Sequence, residues 1–322
     1  MSSPTGPANG LPVRMPRPRP AGRHRRPEPA VAPEGAPALV LAVPGAPSAA
    51  SRGLAEEIVS IGRSELPGLE ARIGFLEGDD AEGSEFPALS RVLSSVAGER
   101  IARAEFARAA GHEVPAPTGP DAVVVPLLAG PDADLLRRMR QAVMDSSAAA
   151  ELAEVLGPHP LLAEGLHVRL SEAGLARADR ARLFTVTTAA DGIIVATTGG
   201  PEAVQAAAVT GMLLAARLAV PVKAAALDQE GSVAAVAEQL RSEGSTLLAL
   251  APYLIGPEAA EGLLDTACKE ADCAAAEVLG AYSALGKLVV NQYSAGMMDG
   301  QVGVIRDALD ETGHEDVSIL AY

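Results

Sequence analysis

Three carboxylates stand at two similar places in the chain. Asp132 and Asp134 follow Val123-Val124-Val125-Pro126-Leu127-Leu128-Ala129-Gly130-Pro131, and Glu258 follows Leu248-Ala249-Leu250-Ala251-Pro252-Tyr253-Leu254-Ile255-Gly256-Pro257. Laid together, Pro126 meets Pro252, Gly130 meets Gly256, Pro131 meets Pro257 and Asp132 meets Glu258, each pair 126 residues apart. An apolar run closed by Pro, then Gly-Pro and an acid, reads as a buried strand turning into a helix. The carboxyl edge of an open parallel sheet is where ligands bind. A carboxylate there can take a proton or hold a divalent ion, or it can do no more than complement the positive end of a helix.

Other residues carry weaker signals. Gly45, and the pair Gly199-Gly200, follow apolar runs and allow close backbone approach, as a phosphate or carboxylate cradle would. Neither completes a dinucleotide or Walker motif, so no nucleotide cofactor is expected. Gly130 and Gly256 share the same corners. Arg137, Arg138 and Arg140 follow the first corner, where they either meet substrate carboxylates or form a solvated face. His159, in Leu156-Gly157-Pro158-His159-Pro160, is either a metal ligand or a turn histidine with a backbone partner. His167 reads as partly buried core. Cys268 and Cys273 cannot complete a tetrahedral site alone and read as inert thiols.

The elements needed to position these residues occur twice, in the same order. Ala42-Val43-Pro44-Gly45-Ala46-Pro47 matches Ala196-Thr197-Thr198-Gly199-Gly200-Pro201 at an offset of 154, and Leu156-Gly157 with Leu162 and Leu166 matches Leu279-Gly280 with Leu285 and Val289 at 123. The fall from 154 to 126 leaves 28 extra residues in the first half, assigned to Glu77–Pro120. Strands are expected at 38–43, 72–76, 122–128, 192–198, 222–227, 247–254 and 277–279. Helices are expected to about 64 from Ser48 or Ser51, over 86–110 with a break near Gly98, and over 133–144, 160–173, 201–218, 232–242, 257–269 and 284–293. This alternation predicts an α/β chain of two tandem, doubly wound parallel-sheet domains facing a central cleft. The domains are 38–178 and 179–293, between a disordered Pro/Arg-rich arm (1–37) and a tail (294–322).

Composition narrows the function. Aromatics are 2% of the 322 residues and Trp is absent, so the cores must be packed with Ala, Val and Leu. The formal net charge of -15 argues against a nucleic-acid surface. No apolar run approaches a membrane span and no signal peptide is evident, so a reducing, cytoplasmic setting without membrane partners is expected. Oligomeric state is not legible.

At these motifs the chain resembles the sirohydrochlorin and cobalt chelatases, specifically the long, internally duplicated CbiX-type form, over residues of about 37–293. The resemblance implies insertion of ferrous iron or cobalt, as substrate, into a sirohydrochlorin-type tetrapyrrole for siroheme or cobalamin biosynthesis. The family places a His-Gly pair where Pro44-Gly45 stands, and a second His where Asp134 stands. The resemblance therefore implies Asp134 and Asp132 as catalytic and metal-binding groups with His159 as an accessory ligand. It likewise implies Gly45, Gly199, Gly130, Gly256 and Arg137 as substrate-binding residues. Both family positions act on one metal, so Asp132 and Asp134 are expected to face the loop after Pro44. Loss of both histidines keeps open a non-catalytic relative that binds a tetrapyrrole or a partner. The tail, with Gly296-Met297-Met298-Asp299-Gly300, is similar to an internal piece of porphobilinogen synthase. It is expected to form at most a helix near 302–309 and to stay out of either core; that enzyme's activity is a remote alternative.

Overall fold

The computed structural model describes residues 31–33, 35–112, 119–176, 189–258 and 260–312, the stretch from 299 as backbone alone. Two parallel four-stranded sheets form the centre. The first has the order β2 (Ala71–Phe75), β1 (Ala38–Val43), β3 (Ala122–Pro126), β4 (Ala150–Leu152). The second has β6 (Val222–Ala226), β5 (Gly192–Thr197), β7 (Leu248–Pro252), β8 (Ala274–Ala275). All positions of β1, β3, β5 and β7 are buried, which is why these strands read as unbroken apolar runs.

The repeat is visible residue by residue. Ala42 pairs with Pro126 in one sheet and Ala196 with Pro252 in the other. Taken from the strand bounds, the offset is 154 for β1 and β5, 151 for β2 and β6, and 126 for β3 and β7. It reaches 123 at Leu152 and Ala275, the partners of Val124 and Leu250. Most of the insertion thus lies between β2 and β3, where α2 (Leu89–Ala109) has 21 residues against 11 in α6 (Ser232–Ser242).

Besides β4, where no strand is expected, and the two ends, three elements differ from the sequence expectation. Helix α2 runs unbroken past Gly98, because Leu89, Val92, Leu93 and Val96 bury one face; that packing outweighs the ~1 kcal/mol cost of a helical glycine. The second sheet closes at β8, not at 277–279. Helix α7 (Leu263–Ala271) starts after Gly262, which is in the left-handed region, so Pro257, Glu258, Ala260 and Glu261 lie outside it.

The remaining helices knit the halves together. α1 (Ala49–Glu65) and α5 (Gly200–Leu218) pack on their own sheets. α4 (Pro160–Glu172), the last helix of the first half, packs on α5 and β7 of the second. There Arg169 donates Nη2–H to Leu279 O at 2.7 Å. α8 (Ser283–Thr312) packs on α1 and β3 of the first half, and its Tyr293 donates to Pro37 O at 2.7 Å. Leu41, Val125, Leu166, Val195, Ala251, Val289 and Tyr293 consequently belong to one core shared by both sheets, while α2–α3 (Ala133–Asp145) and α6–α7 cover the outer faces.

Both ends are more engaged than their composition suggests. The tail does not start a separate helix. α8 continues past Tyr293, Gly296 sits where a Cβ would lie 2.7 Å from Val123 Cγ1, and Met297 packs on the shared core. Val289, Tyr293, Gly296 and Met297 keep the helical spacing of one buried face, and this carries the chain into the tail. Ala32, placed in the arm, donates its N–H to Pro67 O at 2.9 Å and packs on the core. Residues 1–30 of the arm, the 178/179 boundary and the end of the tail lie outside the described residues.

Candidate functional site

The carboxyl edges of the two sheets meet, but each corner faces the other half. Gly45, at φ 76°, lies so close to Pro257 that a Cβ would enter its carbonyl oxygen. Gly199, at φ 104°, stands in the same relation to the first half: a Cβ would lie 2.7 Å from Pro131 O and 3.0 Å from the Asp132 Cα. The loop after Pro44 therefore faces Pro257-Glu258, and Pro131-Asp132 faces Gly199. The expected approach of Asp132 and Asp134 to Pro44 is replaced by a crossed arrangement, because pseudo-symmetric halves meet head to head.

A cavity of about 700 Å³ opens on the Gly45 side. Gly45, Ser48, Leu54, Gly256, Glu258 and Val278 are among its lining residues, and most of the wall is apolar. Ser48 caps α1 beneath it: its hydroxyl accepts from Ser51 N–H at 3.1 Å, while Ser51 Oγ accepts from Ser48 N–H at 2.9 Å.

The two equivalent acids have diverged. Asp132 caps α3, accepting from Leu135 N–H at 3.0 Å. Glu258 instead folds back and accepts from Ile255 N–H at 2.5 Å and Gly256 N–H at 2.9 Å. This closes the loop that Gly256 and Gly262 allow. Burial pushes the Glu258 carboxyl above its usual range; the two N–H donors oppose that shift and the negative charge of Asp132 adds to it. The Asp132 charge thus reaches Glu258 across the junction of the halves. An acid raised in the folded state adds stability that is present at low pH and is lost as pH rises through its folded value. Glu258→Gln is therefore expected to unfold with a weaker decline in melting temperature than the native chain as pH climbs from about 4.5 to 8, above the ordinary Glu value of ~4.3. Parallel curves would show that Glu258 is not the group responsible.

The other candidates have structural occupations. Asp134 is exposed and paired with Arg137 Nη2 at 2.9 Å. Arg138 meets Glu77 at 3.2 Å and Arg140 is exposed. His159 is the N-cap of α4, its Nδ1 accepting from Leu161 N–H at 3.1 Å. His167 is buried and accepts from Arg217 Nε at 2.8 Å. Gly130 packs under the Tyr253 ring, and the Gly199 N–H is held by Asp228 Oδ2 at 2.9 Å. Desolvation first, with Cys268 beside it, pushes the Cys273 thiol up to about 11, as suits an unreactive sulfur. Among the described residues no group of three or more His, Cys, Asp or Glu could hold a metal ion. Glu261 and Val278, which line the cavity, and Asp228 escaped the sequence reading. The first two stood inside a presumed helix and strand, and Asp228 follows β6 without a motif.

No family model matches the sequence. Solved structures do. SirB from Bacillus subtilis with Fe3+ superposes with a TM-score of 0.55 at 13% identity, over 83% of this chain and 98% of that one. Sirohydrochlorin chelatase SirB from Bacillus subtilis subspecies spizizenii in complex with cobalt gives 0.52 at 12%, over 83% and 97%. DR2241 from Deinococcus radiodurans, a multi-domain protein with similarity to chelatases, gives 0.52 at 16%, over 81% of this chain and 55% of that one. Separately, 28 residues are 79% identical to the delta-aminolevulinic acid dehydratase (porphobilinogen synthase) of Streptomyces coelicolor and 64% to that of Mycobacterium leprae. That match spans 9% of this chain and 8% of either relative. No helix among the described residues is long and apolar enough to cross a membrane. At these identities the likeness is one of fold, and the chain has the α/β fold of the sirohydrochlorin chelatases.

Proposed function

We propose that the chain is a tetrapyrrole chelatase that brings ferrous iron or cobalt, as substrate, to a sirohydrochlorin-type macrocycle at the junction of the two halves. The observation that carries this reading is the cavity at the crossed carboxyl edges, lined by Glu258, in a fold shared with SirB. Metal entry displaces two pyrrole N–H protons. A carboxylate whose pKa is raised accepts such protons better than an ordinary one. Glu258 is the group so tuned, and Asp132 is the second carboxylate. Asp134 extends the same acidic edge into solvent and serves the approaching ion, with Arg137 against substrate carboxylates.

The test is to mix the purified chain with sirohydrochlorin and cobalt or ferrous iron and follow the absorption change against the spontaneous rate. Glu258→Gln and Asp132→Asn, which keeps a helix cap, are expected to lower the protein-dependent rate by roughly 100-fold, the lower end for loss of a proton acceptor. Asp134→Asn is expected to lower it less than tenfold, the scale of an exposed charge. A native chain no faster than the spontaneous reaction defeats the proposal.

A second reading has its own support, since no three-ligand group occurs among the described residues. In it the chain binds the macrocycle without inserting metal. Quenching of sirohydrochlorin fluorescence on binding, with no rate enhancement, separates the two.

A further inference from the structure

The cavity of about 700 Å³ is built without a cation. Among the described residues no Lys, Arg or His lines it, and the ionisable groups that do are both acids, Glu258 and Glu261. Glu258 is half-buried in the wall; Glu261 is exposed and so stands at the mouth. Leu54 of α1, Ile255 beyond β7 and Val278 beyond β8 give the wall an apolar face drawn from both halves. Two guanidiniums border this region, and both are engaged. Arg52, on the helix that carries Leu54, is paired with Glu56 and Glu85, each at 2.8 Å. Arg169 Nη2 stands 2.8 Å from where a Cβ of Gly280 would be, and that side chain bonds Leu279 O at 2.7 Å and Glu172 at 2.8 Å. The first turn of α1 offers an anion roughly half a positive charge. Against it stand Glu258 and Glu261, and the further charge that reaches Glu258, that of Asp132, is again negative. A carboxylate carried into this space would lose its water and gain no cationic partner.

We infer that the cavity selects a cyclic tetrapyrrole by an edge that bears no carboxylate. Alkyl groups of the ring pack on Leu54, Ile255 and Val278, and its acidic side chains stay in solvent. Glu261 at the mouth turns away a macrocycle carboxylated on every side, so it sets specificity by repulsion rather than by attraction. The inference rests on the reading of this cavity as the macrocycle site, and it narrows the substrate class of that site. The net charge of -15 works in the same direction, since it gives a polyanion no long-range attraction.

Titration of the full chain into mesoporphyrin and into uroporphyrin tests this, followed by the shift of their absorption bands at low ionic strength, where exposed charges are least screened. Mesoporphyrin has propionates on one side of the ring and alkyl groups on the other; uroporphyrin has carboxylates all round. The native chain is expected to bind mesoporphyrin at least roughly tenfold more tightly than uroporphyrin. Glu261→Gln is expected to tighten uroporphyrin binding by roughly threefold and to leave mesoporphyrin within about twofold. Leu54→Asp, with its fold checked by circular dichroism, is expected to weaken mesoporphyrin binding by roughly tenfold. Uroporphyrin bound as tightly as mesoporphyrin, or mesoporphyrin not bound at all, overturns the inference. So does a preference unchanged by Glu261→Gln, or mesoporphyrin binding untouched by Leu54→Asp, because the ring would then sit elsewhere. The metal-insertion assay separates this from the chelatase reading. The expected preference without insertion defeats that reading and upholds this one; insertion alongside tighter uroporphyrin binding defeats this one alone.

Discussion

A chain ended at Gln292 is expected to melt roughly 10 °C below one ended at Met298. Tyr293 is fully buried, in the core that both sheets share. Burial pushes its phenol up to about 12, and its hydroxyl closes on Pro37 O at the entry to β1. Losing a buried aromatic side chain costs about 3–5 kcal/mol, and the hydrogen bond about 1 more. Beyond Tyr293 the shorter chain also lacks the Gly296 approach to Val123 and the packing of Met297. Calorimetry of the two truncated chains checks the contrast. Equal melting temperatures would mean that α8 past Gln292 contributes nothing to the first half.

Alanine at Gly45 or Gly199 is expected to cost about 2–5 kcal/mol, whereas alanine at Gly200 costs about 1–2. All three glycines have positive φ, so each alanine carries the left-handed backbone penalty. Only Gly45 and Gly199 add a clash, with Pro257 O and Pro131 O. Nothing lies within 4 Å of the Cβ position at Gly200. The difference between these variants isolates the energy of closing the halves on each other. Urea unfolding midpoints measure it, and three equal shifts would show that the crossed junction is not under steric control. Gly45→Ala is also expected to change the cavity that Gly45 lines, so its rate of metal insertion is a second readout.

The duplication was legible because parallel strands buried on both faces leave runs such as Val123–Val125 and Ala249–Ala251, and because their register is kept by Pro126 and Pro252. The strand offsets could therefore be read from sequence alone. What could not be read was the partner of each corner. Gly45 gives the same local signal whether Asp132 or Pro257 approaches it, since only the packing of α4 and α8 decides which loop comes near. The divergence of Asp132 from Glu258 was hidden for a similar reason. Both follow Gly-Pro, but Glu258 has one more methylene. Its carboxylate turns back to Ile255 and Gly256, and the helix start moves to Gly262. The tail was misread because a change of sequence similarity near Ser294 coincides with no change of helical spacing. The aliphatic face of α8 simply continues.

The placement of α4 and α8 bears on how such a chain could arise. Each half hands its last helix to the other, so neither sheet has its inner face fully covered by its own segment. A single half would meet its needs by trading that helix with a second copy of itself, the reciprocity of a domain-swapped pair. Joining the two copies into one polypeptide keeps the trade and removes its dependence on protein concentration, because the tether holds each helix near its acceptor. Once tethered, the copies are free to differ. Here one corner kept an acid as a helix cap, and the other turned its acid into the wall of a cavity.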